Sequence, residues 1–192
     1  METVRLRYGN TNTFLVGGRL LMDTDYAGTM RAFFKALKAH GIRLDTISHV
    51  MATHYHPDHC GLIGELQQRG VRLVLLEAQK ESVHFPDYIF RRDGIDYVPI
   101  DTDKAEIIRF SDSRQWLRSL NINGEIISTP SHSADSVSLI LDNGDCIVGD
   151  LQPEEYLESY EDNSALKEDW ERIKAYNPNR ILFAHMPEKR MK

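Results

Sequence analysis

The stretch Thr53-His54-Tyr55-His56-Pro57-Asp58-His59 (residues 53–59) puts three histidines and an aspartate within six positions. His54 and His56 are two apart, so on extended chain their imidazoles point to the same side. Pro57 then bends the chain, and Asp58 and His59 open a helix and turn toward a second point. Such donors buried together without a partner would be mutually costly. The cluster therefore suits two adjacent metal ions rather than one.

Working outward, TISHVMAT (46–53) reads as a buried strand that delivers the histidines to its C-terminal end, and HCGLIGELQQRG (59–70) as a helix closed by Gly70. Upstream, TFLVGGRLLMDT (13–24) reads as two short strands around the Gly17-Gly18 turn. A helix from about Gly28 to His40 follows, with Met30, Phe33, Phe34 and Leu37 at helical spacing. Downstream, VRLVLLE (71–77) is a strand, residues 84–104 read as irregular, and 112–120 as a short helix. GEIISTP (124–130), SVSLILD (136–142) and DCIVGD (145–150) are strands, the last two joined by an Asn143-Gly144 turn. Leu166, Trp170 and Ile173 mark a helix, and RILFAH (180–185) a last strand. The pattern predicts a mixed α/β domain with more than one sheet layer, undivided over 1–192.

The remaining candidate ligands fall at strand ends or in the loop just after. His132 follows GEIIST, Asp150 ends DCIVGD, His185 ends RILFAH and Asp23 ends the second strand. Such ends gather at one edge of a sheet, where sites form. His40, His49 and His84 read as ordinary core or surface histidines, and Asp142 and Asp145 as turn residues.

The 192 residues are 41% apolar and 27% charged with a net charge of −6, a soluble globular profile that argues against nucleic-acid binding. No segment approaches a membrane span or an export signal, so the reading is a cytoplasmic protein with Cys60 and Cys146 reduced. The partner expected is a small-molecule substrate; oligomeric state is unreadable.

THYHPDH resembles the Thr-His-x-His-x-Asp-His signature of the metallo-β-lactamase superfamily. NTFLV with LLMDTD, TPSHSADSVSL, IVGDL and FAHM resemble its further segments in the right order. The resemblance implies a four-layer αββα sandwich with a binuclear site at one edge. On that pattern His54, His56 and His132 hold one metal, Asp58, His59 and His185 the other, Asp150 bridges them, and Asp23 orients a ligand. Donors without thiolate suit two Zn(II), with Fe or Mn as alternatives. The implied enzyme is a hydrolase that uses a metal-bridging hydroxide on an ester, thioester or lactone, with Asp58 moving the proton. A phosphodiesterase or a mono-iron persulfide oxidoreductase of the same fold is the alternative. True β-lactamases of this superfamily place cysteine where this chain has Asp150.

Three residues depart from the pattern's glycines: Asp25, Ser131 and Met186. Asp25 is expected to add negative charge to the site's mouth. Substrate contacts are sought in residues 84–104, where Tyr88, Phe90, Arg91 and Arg92 offer apolar walls and a charge.

Overall fold

Alternation along the strands decides where each side chain goes. The computed structural model describes residues 2–158 and 163–191. In it β1 (Thr3–Arg7), β2 (Asn12–Val16), β3 (Leu20–Met22), β4 (His49–Met51), β5 (Arg72–Leu76) and β6 (Glu106–Ile108) form one sheet in that order. Its first three strands are antiparallel, and β3 to β6 run parallel. The second sheet has the order β11 (Lys189–Arg190), β10 (Arg180–Phe183), β9 (Asp145–Gly149), β8 (Val137–Leu141), β7 (Gly124–Ser128), with β9 and β10 parallel.

Successive side chains point to opposite faces. Phe14, Val16, Leu20, Met22, Met51, Val74 and Leu76 therefore meet Leu139, Leu141, Ile147 and Leu182 between the sheets. The alternate residues Leu15, Leu21, Val50, Leu73 and Leu75 face outward. There they are covered by Met30, Phe33 and Leu37 of α1 (Met30–Ala39) and by Ile63 and Leu66 of α3 (Ile63–Gln68). On the far side Ile140, Cys146, Val148, Ile181 and Phe183 are covered by Leu166, Trp170 and Ile173 of α6 (Ser164–Lys174). The result is helix on sheet on sheet on helix, the predicted four layers.

Trp116 and Leu117 of α5 (Phe110–Ser119) close the middle layer. Ser113 on the same helix accepts the Ile126 N–H at 3.1 Å, so the edge strand β7 is not left bare.

The structure corrects one element. Residues 84–104 are not irregular throughout, because Phe85–Arg92 form α4. Pro86 sits at its start, and Pro86 and Phe90, one turn apart, are its buried residues. Two apolar anchors among charged neighbours give too little periodicity to read. The strands β6 and β11, of three and two residues, are too short to show a period. α2 (Pro57–Cys60) is the turn that opens after His56.

Candidate metal centre

Parallel strands bring their C-terminal ends together. β4 lies beside β3, which places the Thr53–His59 loop next to Asp23. Asp23 has φ 58°, a left-handed conformation that aspartate tolerates better than most residues. Its N–H donates to the Met51 carbonyl at 2.9 Å. Its carboxylate receives the Thr53 N–H at 2.6 Å and the Thr53 hydroxyl at 3.0 Å, and lies 3.1 Å from His59 Nδ1. Across the sheets, Gly149 (φ 59°) ends β9 so close to Thr53 that an added Cβ would lie 2.3 Å from Oγ1. A glycine is required there, and it lets the next residue, Asp150, enter the site.

Two sets of three donors form. His54 Nε2 lies 3.0 Å from His56 Nδ1, and His132 Nε2 lies 3.2 Å from the same atom. On the other side His185 Nε2 is 3.3 Å from His59 Nε2 and 3.2 Å from Asp58 Oδ2. Asp150 faces both: Oδ1 is 3.3 Å from His59 and 3.2 Å from His185, while Oδ2 is 3.7 Å from His132 and 4.0 Å from His54. Nitrogens bound tetrahedrally at about 2.0–2.1 Å stand roughly 3.3 Å apart, so the observed edges are those of a shell around a divalent ion. Asp150 Oδ1 is buried, and the polar atoms nearest it are the His59 and His185 ring nitrogens at 3.3 and 3.2 Å. A buried carboxylate oxygen crowded by imidazoles is costly unless a cation is shared among them. Each triad fits a divalent metal ion by spacing and donor chemistry.

Protonation follows position. Burial, reinforced by the charge of His59, pushes His54 down to about 2, so it stands as a neutral donor. For His59 burial opposes charge, but Asp23 and Asp150 outweigh it and lift the ring to about 10. Hydrogen bonds to Asp150 and Asp58 lift His185 to about 10 as well. Burial works against ionised Asp150, yet His185 and His59 hold its carboxyl far below the usual range.

The structure brings all seven predicted ligands and Asp23 together. It corrects Asp25, which is buried rather than at the mouth. Asp25 accepts N–H groups from Thr11 at 3.1 Å and Tyr26 at 2.7 Å. Arg91 lies 3.8 Å from Asp87 and Arg92 pairs with Asp93 at 2.7 Å, both arginines pointing to solvent. Tyr88 is exposed on α4, and Phe90 is core. The aromatic residue that touches the cluster is Phe85, 5.7 Å from the His56 ring.

Three supporting residues had no signal in the sequence. Asp135 accepts the Tyr55 N–H at 2.8 Å, tying the loop of residues 53–59 to the segment after His132. Gln79, fully buried, donates to the carbonyls of Ala52, Thr53 and Asp135. Asp169 of α6 accepts the Ser131 N–H at 2.8 Å and anchors the residue beside His132.

The family model of the Metallo-beta-lactamase superfamily matches residues 6–185. A Beta-lactamase-like protein 2 homolog of Caenorhabditis elegans is 27% identical over 92% of this chain, which spans 56% of that relative. Among solved structures, the metallo-beta-lactamase family protein TTHA1429 from Thermus thermophilus superposes with a TM-score of 0.72 at 19% identity, covering 97% of this chain and 73% of its own. TTHA1623, solved in a di-iron-bound form, gives 0.73 at 18% identity, with 99% and 94% covered. Among the described residues no helix is long and apolar enough to cross a membrane.

Proposed function

Because the chain belongs to the metallo-beta-lactamase superfamily, whose members are mostly metal-dependent hydrolases, we propose that it is a binuclear hydrolase of small-molecule esters, thioesters or lactones. The observation that carries this is Asp150, whose two oxygens face the two triads separately. His54, His56 and His132 would hold one ion, Asp58, His59 and His185 the other, and Asp150 both. Bound there, such ions supply Lewis acidity that activates water and polarises a carbonyl.

The residues do the rest. Asp23 fixes His59 through Nδ1, leaving Nε2 to point into the site. Asp58, its side chain 36% exposed against 18% for Asp150, is the carboxylate able to take a proton from water and return it to the leaving group. In the overall reaction water adds to the acyl carbon, the acyl–oxygen or acyl–sulfur bond breaks, and the alcohol or thiol leaves with the proton. Zinc is the metal proposed from the donor set. The di-iron form of TTHA1623 makes iron the second candidate.

Elemental analysis of the purified protein tests this, paired with hydrolysis of an S-acyl thioester, a lactone, an aryl ester and a bis-aryl phosphodiester. The expected outcome is about two metal ions per chain and ester-type hydrolysis that a chelator abolishes. One iron per chain with no hydrolysis would overturn it.

A further inference from the structure

The candidate centre has two unlike flanks. Beside His132 opens a cavity of about 350 Å³ lined by polar groups, among them Ser131, Gln152, Asn163 and Ser164. Beside His56 stands the first turn of α4. Phe85 is 51% exposed there with its ring 5.7 Å from the His56 imidazole, and Tyr88 is 70% exposed. Residues three apart are neighbours on a helix surface, so Phe85 and Tyr88 share one exposed face of α4.

That face stands on a rigid base. Phe90, one turn further on, is buried edge-on to Tyr26 at 5.2 Å and against Tyr97 at 4.9 Å, and Pro86 is buried beneath the first turn. The core thus holds α4 through Pro86 and Phe90, while Phe85 and Tyr88 stay outside it. Aromatic side chains exposed together beside a reactive centre leave water only when something apolar covers them.

We propose that α4 is the acyl-recognition wall, with Phe85 as its specificity-determining residue. The substrate is an ester or thioester with an apolar acyl chain of medium length, laid from His56 along Phe85 toward Tyr88. Its polar alcohol or thiol portion lies in the cavity beside His132. This rests on the hydrolase reading above. It deepens that reading by naming the substrate class: amphipathic acyl compounds rather than acetyl esters or uniformly polar ones. Burying each added methylene against the ring favours the longer chain, so the preference should grow along the series.

The test uses p-nitrophenyl acetate, butyrate and octanoate with the metal-loaded protein, and calorimetric titration with acetate and octanoate as product-like ligands. In the wild type kcat/KM should rise with chain length and octanoate should bind more tightly than acetate. Phe85→Ala should cut the octanoate-to-acetate ratio about tenfold in both measurements, the low end of the range for one methylene in an apolar pocket. Phe85→Leu should restore part of the ratio. Phe34→Ala, removing a comparably exposed ring on α1, should keep the wild-type ratio. Hydrolysis with no chain-length preference in the wild type, or an unchanged ratio in Phe85→Ala, overturns the wall and leaves the hydrolase standing. Octanoate binding that depends on Phe85 in a protein that cleaves no ester overturns the hydrolase and leaves the wall.

Discussion

The two sheets supply the candidate centre in opposite ways. The first sheet contributes His54, His56, Asp58 and His59 from one loop, with His54 and His59 fully buried and the loop fastened by Asp23. The second contributes one donor from each of three separate segments, all more exposed than His54 and His59: His132 at 28%, Asp150 at 18% and His185 at 34% of the side chain. Each has its own support. Asp169 holds the residue before His132, Gly149 admits Asp150, and the Asn10 carbonyl lies 3.2 Å from His185 Nδ1. The first set is preassembled by local chain geometry, whereas the second exists only once the whole second sheet has formed.

If the halves are coupled chiefly through Asp150, removing its charge should have the largest effect. Asp150→Asn should lower kcat/KM roughly 10,000-fold, the scale for losing a member of a set that acts as a unit, and reduce bound metal. A variant that keeps full metal content and loses less than tenfold would mean the halves act independently. Supports should matter less, and unequally. Asp23 fastens the loop that serves both triads, so Asp23→Asn should weaken both metal affinities by about 10- to 100-fold. Asp169 supports only the His132 side, so Asp169→Asn should weaken one affinity, by about tenfold. Stepwise chelator competition separates the two, and equal losses at both steps in both variants would erase the contrast.

The same contrast explains what could be read without the fold. THYHPDH carries four donors and their turn within one window, so its chemistry is local. His132, Asp150 and His185 could be placed because each follows an apolar run that ends in a polar residue. Gln79, Asp135 and Asp169 act through contacts 27, 80 and 38 residues away in sequence, and nothing near them marks that role. Asp25 misled for a related reason. A carboxylate beside a site looks like a surface charge until the Thr11 and Tyr26 amides that bury it are known. α4 escaped the sequence reading because its inward face is only Pro86 and Phe90, and the arginines that stand out there pair with neighbouring aspartates.

The smallest effect separates the halves by pH. In the first sheet His49 is buried on β4, with Ser48 Oγ at 2.8 Å, Glu106 at 3.5 Å and Trp116 edge-on. Burial and then the charge of Arg72 lower its pKa, against the pull of Glu106. A depressed value in the fold means the unfolded chain binds the extra proton first. Stability from neutral His49 is therefore full above the ordinary value of about 6.5 and declines as pH falls below it. In the second sheet Asp145 is also depressed: burial opposes its charge, but Arg180, bonded at 2.8 Å through both Nε and Nη2, prevails. By the same sign its contribution is full above the ordinary carboxyl value of about 3.9 and is lost only in stronger acid. Between pH 7.5 and 5.5 the His49 contribution should therefore fall while the Asp145 contribution does not. Urea unfolding of the wild type, His49→Gln and Asp145→Asn at equal metal content checks it. His49→Gln should remove that downward contribution, so its stability should fall less, or rise more, than the wild type's as pH drops through the window; Asp145→Asn should keep the wild-type slope there, and three identical slopes would show that His49 is not a group being titrated.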